Sequence, residues 1–336
     1  MRFPLFHLNY YLILSYGLLY LANVCLGSHS SLRVDNGAYK GLVIAISPDI
    51  EVNGEKDQLD LLDKLKNLVT DASKVLSETT GLYFSEVTIR VPNGWTTTST
   101  TTVQIRDTDA DVIVINRDFE QSFCMQYAGC GEPALPITVT KKTVTDGNGA
   151  KQLIHEWAHY RYGVFNEFGF KSDPIYPAYY SIAGNPNTSE ILVNSCADRE
   201  FSYSTETRTG SKCDLDTSNT TGLPTDDYCQ PILTQTNNFE SSLMFAHSVE
   251  SVKHFCGDTR SGGQGSHRHN SKSPNKQNVL CDGRDTWTVI KSHPDLANHH
   301  LYRQTNRYVL SIAQIILLYA HHSKYMPYID PQNAEI

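Results

Sequence analysis

Basic residues are in short supply. Lysine and arginine number 28 against 36 aspartates and glutamates, a formal charge of -8, whereas a phosphate backbone asks for a positive face. A nucleic-acid partner is excluded on that ground. Also missing are a glycine-rich phosphate cradle between a strand and a helix, the spacing of an EF-hand calcium loop, a paired C-x-x-C zinc site and any internal repeat. Long apolar runs are confined to the two ends. The later one, Tyr308 to Ala320, is too short to cross a bilayer comfortably and is expected to dock as a helix. No stable transmembrane span is expected.

The early run belongs to residues 1–27, where Arg2 precedes an apolar stretch from Tyr10 to Leu26 with small residues near its end. That is the layout of a secretory signal peptide cut after Gly27, and His7 and Asn9 limit the alternative of an uncleaved anchor. A secreted, extracellular protein follows. Cysteines Cys124, Cys130, Cys196, Cys213, Cys229, Cys256 and Cys281 are then expected to form disulfides, and their odd number leaves one over. Asn187 and Asn219 begin glycosylation acceptors.

With 336 residues, 40% of them hydrophobic, the chain can bury one large core or two modest ones. Gly41 to Ile46 reads as a buried strand, Asp57 to Glu78 as a long amphipathic helix ended by Gly81, and Val87 to Val91 and Asp111 to Ile115 as further strands. Trp95 to Thr102 reads as a loop. The expected class is α/β (α+β), a sheet and two helices over one core. Lys171 to Gln230 is polar and aperiodic and reads as disulfide-held loops rather than a second core. Val249, Val252 and Phe255 suggest a short helix, and Gly257 to Asn278 a flexible surface loop.

The chemistry concentrates in His155-Glu156-Trp157-Ala158-His159. On a helix running to about Tyr162, the two histidines stand four residues apart on one face and can bind one zinc ion. Glu156 is then placed to polarise a water at the metal. This is the H-E-x-x-H arrangement of zinc hydrolases. Asn148 is a plausible N-cap, Gly163 the C-terminal stop, and a sharp turn there swings Val164 to Glu167 back toward the metal. Met244 is a candidate floor beneath the zinc. His247, His254, His267, His269, His293, His299 and His300 read as ordinary solvated histidines.

The stretch His155 to Glu167, the segment Ser242 to Ala246 with Phe255-Cys256, and the block Pro274-Asn275-Lys276-Gln277-Asn278 with Cys281 and Thr286-Trp287 resemble the N-terminal domain of the CLCA family, the calcium-activated chloride channel regulators. The resemblance runs from about Val34 to Asp295. It implies a zincin/metzincin-like metalloprotease domain at 28–300, with a mixed sheet, after the signal peptide at 1–27 and before an unassigned tail at 301–336. It also implies Zn2+ as cofactor, a protein or peptide substrate and modulation of an anoctamin-type chloride channel. His155, His159 and Asn166 become the metal positions and Glu156 the general base. In the family the third ligand is usually an aspartate followed by glutamate; here Asn166 precedes Glu167, either of which offers an oxygen. The family's von Willebrand factor A domain has no counterpart after about Leu301. Proteolysis is therefore expected to act on another molecule, and a catalytically weak binding module is the alternative.

Overall fold

The computed structural model describes residues 31–92, 94–95, 110–117, 121–145, 149–171, 173–181, 191–196, 203–207, 209–213, 229–233, 241–257, 269–297 and 314–319. The strands are β1 (Arg33–Asp35), β2 (Ala38–Lys40), β3 (Leu42–Ile46), β4 (Tyr83–Phe84), β5 (Glu86–Val91), β6 (Val112–Ile115), β7 (Ile137–Thr140), β8 (Tyr179–Ser181), β9 (Ile191–Val193), β10 (Tyr203–Glu206), β11 (Gln230–Leu233) and β12 (Gln314–Tyr319). The helices are α1 (Glu55–Thr80), α2 (Lys141–Thr145), α3 (Gly149–Tyr162), α4 (Leu243–Ala246), α5 (Lys276–Leu280), α6 (Thr286–Ser292) and α7 (Pro294–Ala297). The signal-like residues, Asn148 and both glycosylation acceptors lie outside the described residues. Among the described residues no helix is long and apolar enough to cross a membrane.

Five parallel strands form the central sheet in the order β12-β5-β3-β6-β7. Parallel neighbours need a crossover, and α1 supplies the one between β3 and β5. Its periodic residues Leu61, Leu62, Leu65, Leu68, Val69, Ala72 and Leu76 are buried, as their spacing predicts. Each fully buried leucine contributes about 1.5–3 kcal/mol relative to exposure. Gly81 ends the helix in the left-handed region, its N–H reaching Ser77 O at 2.9 Å. The expected mixed pairing occurs in a smaller sheet, β1-β2-β4, with one antiparallel and one parallel pair. Beyond β7, Phe123 pairs antiparallel with Thr138 as a single bridge.

Four expectations need correcting. The apolar tail is not a docked helix: Gln314 to Tyr319 runs parallel to β5 as β12, because an open sheet edge satisfies backbone groups that a lone helix would leave to its own ends. The region after Lys171 is not only loop, since β8-β9 and β10-β11 are antiparallel pairs. Ala178, Tyr179, Val193, Cys213 and Cys229 form a small apolar cluster there. No helix forms over Val249 to Phe255; the three apolar side chains are buried from turns. Finally, Ser273, Asn275, Gln277 and Asn278 are buried, so the end of the expected surface loop is a packed polar segment.

Three disulfides, Cys130–Cys281, Cys196–Cys256 and Cys213–Cys229, leave Cys124 as the odd cysteine. At the far side, α7 is clamped to α3. Arg161 donates Nε and Nη2 to Asp295 at 2.6 and 2.8 Å, and Tyr39 Oη donates to the same carboxylate at 2.7 Å. Burial works to raise the Asp295 carboxyl, but the Arg161 hydrogen bonds and charge outweigh it and hold it below the usual range. A carboxyl lowered on folding stabilises the fold above its unfolded pKa, and that contribution is lost as pH falls through the folded value. Asp295→Asn is therefore expected to cost about 2–4 kcal/mol at neutral pH. Urea titrations across pH check this: the gap between wild type and variant should shrink below about pH 4.

Candidate metal centre

Helix α3 carries the site on the face it turns into the protein. Leu153, Ile154, Trp157 and Ala158 bury against α1 and the sheet, which brings His155, Glu156 and His159 inside as well. Their polar atoms cannot be left to water and are individually accounted for. His155 Nδ1 donates to Leu243 O at 2.8 Å, and His159 Nδ1 donates to Val164 O at 2.6 Å. A carbonyl only accepts, so each ring carries its proton on Nδ1 and presents a bare Nε2 lone pair. Burial pushes both imidazoles below their ordinary pKa, and for His155 the neighbouring His159 and His247 add to it.

Those two bare nitrogens face each other at 3.2 Å, and Asn166 Oδ1 lies 3.1 Å from His159 Nε2. Three acceptors without a proton between them repel unless a cation joins them. Two ligands bonded tetrahedrally to zinc at ~2.0 Å are about 3.3 Å apart, so the donor set fits that ion in both chemistry and spacing. Glu156 stands beside it, with its acceptor atom within 4.8 Å of the imidazole nitrogens. Burial raises its carboxyl well above the usual range, opposed by the backbone N–H of Cys124, which donates to it.

Gly163 makes the third position possible. It ends α3 at φ 63, its N–H reaching His159 O at 3.2 Å, and its O accepts from Gly131 N at 2.9 Å. A Cβ here would overlap the Glu132 backbone N and O. The chain therefore reverses at once, and Asn166 comes under the imidazoles three residues later. Gly163→Ala combines left-handed strain with a backbone clash, for an expected loss of roughly 2–4 kcal/mol, read as a fall in the urea midpoint.

Glu167 is grouped elsewhere than with the imidazole pair. Its N–H donates to Met244 O at 3.0 Å, and its buried carboxyl lies with His269 and Cys256, whose sulfur is committed to a disulfide. Burial pushes that carboxyl up to about 7, against the Ser242 and Thr286 hydroxyls. Met244 is fully buried in α4, whose N-cap Ser242 Oγ accepts from Met244 N at 3.1 Å. The carbonyl that orients His155 comes from the residue just before it.

Two nearby residues had no sequence signal strong enough to select them. His247, read as solvated, packs its ring 4.7 Å from that of His155, and burial pushes it down to about 4, helped by the Lys151 and His159 charges. Lys276 belongs to the block expected to be mobile. His254, His269 and His293 lie away from the imidazole pair, and His267, His299 and His300 are outside the described residues.

Residues 32–302 match the family model described as "Calcium-activated chloride channel N terminal". The chain is 31% identical over 289 residues to human calcium-activated chloride channel regulator 1, covering 80% of this chain and 29% of that protein. It is 30% identical over 288 residues to mouse regulator 2, covering 81% of this chain and 28% of the relative. Human regulator 4 is 28% identical over 308 residues, covering 84% and 30% respectively. The chain thus spans under a third of the length of these relatives. No solved structure matches.

Proposed function

Because the chain belongs to the CLCA family of calcium-activated chloride channel regulators, matched over residues 32–302, we propose that it is the family's secreted metallopeptidase-like domain, a zinc-dependent hydrolase of peptide bonds. The observation that carries this reading is the convergence of His155 Nε2, His159 Nε2 and Asn166 Oδ1 beside a buried glutamate. His155, His159 and Asn166 would hold the zinc. Bound there, it supplies Lewis acidity to a water and to the scissile carbonyl. Glu156, buried beside the two imidazoles, takes the proton from the attacking water and returns it to the leaving amine. The Cys124 N–H keeps the carboxyl aimed, and the carbonyls of Leu243 and Val164 keep both imidazoles in the ligating tautomer.

A metzincin-like fold is supported by the buried Met244, which directly follows the Leu243 carbonyl bonded to His155, and by the antiparallel bridge at Phe123 along the sheet edge. In the pattern H-E-x-x-H-x-x-G-x-x-H the glycine precedes the third ligand by three residues. Gly163 and Asn166 keep that interval, both shifted by one position.

The proposal is tested on the secreted protein by elemental analysis with a peptidase assay. One zinc per chain is expected, with peptide hydrolysis abolished by a chelator and restored by zinc. A protein that cleaves equally well without metal refutes it. The second reading, a non-catalytic module that modulates an anoctamin-type chloride channel or another extracellular partner, is favoured by the uncharged Asn166. A metal-free protein that still alters chloride current selects it.

A further inference from the structure

The donor set His155, His159 and Asn166 is neutral, and a lysine stands one residue before the segment hydrogen-bonded to Asn166. Gln277 N donates to Asn166 O at 3.3 Å, and Gln277 Oε1 accepts from Phe165 N at 2.8 Å. These two bonds fasten the start of α5 directly to the bend that carries Asn166. Lys276, the preceding residue, is thereby fixed next to the site. Its Nζ stands 5.3 Å from the ring centroid of Phe170 and 5.6 Å from that of Tyr176. Those rings are held by Phe170 N donating to Tyr176 O at 2.7 Å, and Asp173 Oδ1 caps the turn between them.

Among the described residues Lys276 has no ion pair, whereas Lys40, Lys64, Lys66 and Lys74 each meet an aspartate. It is half-buried. The region holds two buried carboxyls, Glu156 beside the imidazole pair and Glu167 grouped with Cys256 and His269. Neither pairs with the ammonium. An aromatic pair steadies a cation without neutralising it, so the positive charge remains available to a ligand.

We propose that Lys276 forms a carboxylate-reading subsite beside the metal centre, so that the preferred peptide carries a carboxylate within a residue or two of the bond cut. The carboxylate comes from an Asp or Glu side chain or from a free C-terminus. This rests on the peptidase reading, and the test separates the two. Quenched fluorescent peptides that differ only in Glu, Gln or Lys beside the scissile bond are compared, each with a free and an amidated C-terminus. Wild type is expected to prefer Glu over Gln by roughly 5–10-fold in kcat/KM, chiefly through KM. A preference that follows the free C-terminus instead assigns the subsite to terminal carboxylates.

Lys276→Met keeps the stem between the rings and should erase the preference; Lys276→Arg should keep it, and Lys276→Glu should shift it toward the Lys peptide. Cleavage with no preference in wild type, or a preference that survives Lys276→Met, overturns the subsite. Loss of thermal stability in Lys276→Met with an unchanged preference does the same. Calorimetric binding of the Glu and Gln peptides to the Glu156→Gln protein supplies a readout independent of turnover. If no peptide is cleaved, the peptidase reading falls, and equal binding of the two peptides then removes the subsite as well.

Discussion

Glu156→Gln is expected to lower peptide hydrolysis by roughly 10²–10⁴-fold with zinc content unchanged, the range for removing a positioned general base. The substitution is close to isosteric, and the amide oxygen still accepts the Cys124 N–H that now steadies the carboxylate. Folding should not suffer. Burial already disfavours the charged form of Glu156, so a neutral amide in the same space avoids a desolvation cost, and the melting temperature should hold or rise. Glu156→Ala makes the useful contrast: it leaves the Cys124 N–H without its acceptor and opens a cavity, so it should lose stability as well as activity. Activity assays, metal analysis and thermal melts on the two variants separate proton transfer from architecture. Undiminished hydrolysis by the glutamine variant would sink the mechanism, whatever the metal content.

Periodicity carried the sequence reading furthest where burial is apolar. The stripe from Leu61 to Leu76 gave α1, and the β-branched runs gave β3, β5 and β6, because each such pattern has one face that must leave water. His155 and His159 were legible for the same reason, being locked to a helix whose Leu153 and Trp157 fix its rotation. The block Pro274 to Asn278 was misread because its burial is polar. Asn278 Nδ2 donates to Ser273 O at 2.7 Å and to Asn270 O at 2.8 Å, and Ser273 Oγ donates to Asn194 Oδ1 at 2.7 Å. Such a network replaces apolar contact by hydrogen bonds, two of them local and one reaching back to Asn194, and no hydrophobic periodicity announces it. The tail strand escaped for a related reason: a short apolar run suits helix and strand alike, and an open edge beside β5 decides between them. Choosing Asn166 over Glu167 needed the Gly163 bend, whose tightness depends on Glu132 packed against it from a distant segment.

Asn166→Asp tests that choice and should produce the second large effect. The wild-type donor set contributes no charge, so a zinc ion bound there would find no ligand that offsets its own charge. A carboxylate at the same position is about the same size, keeps an oxygen facing His159 Nε2 and supplies the missing negative charge. Zinc affinity is expected to rise roughly 10–100-fold, about 1.4–2.8 kcal/mol, measured by competition with a chromophoric chelator. The same charge offsets part of the metal's pull on a water, so the acidic limb of the hydrolysis profile should move to higher pH even as the metal is held more tightly. Asn166→Ala sets the other boundary, weakening zinc binding without bringing the buried Glu167 carboxyl into its place, since that carboxyl is grouped with Cys256 and His269 and its backbone N–H is fixed to Met244 O. If the alanine variant binds zinc as tightly as wild type, or the aspartate variant no more tightly, then the oxygen after the Gly163 bend takes no part in holding the metal, and the centre rests on the two imidazoles alone.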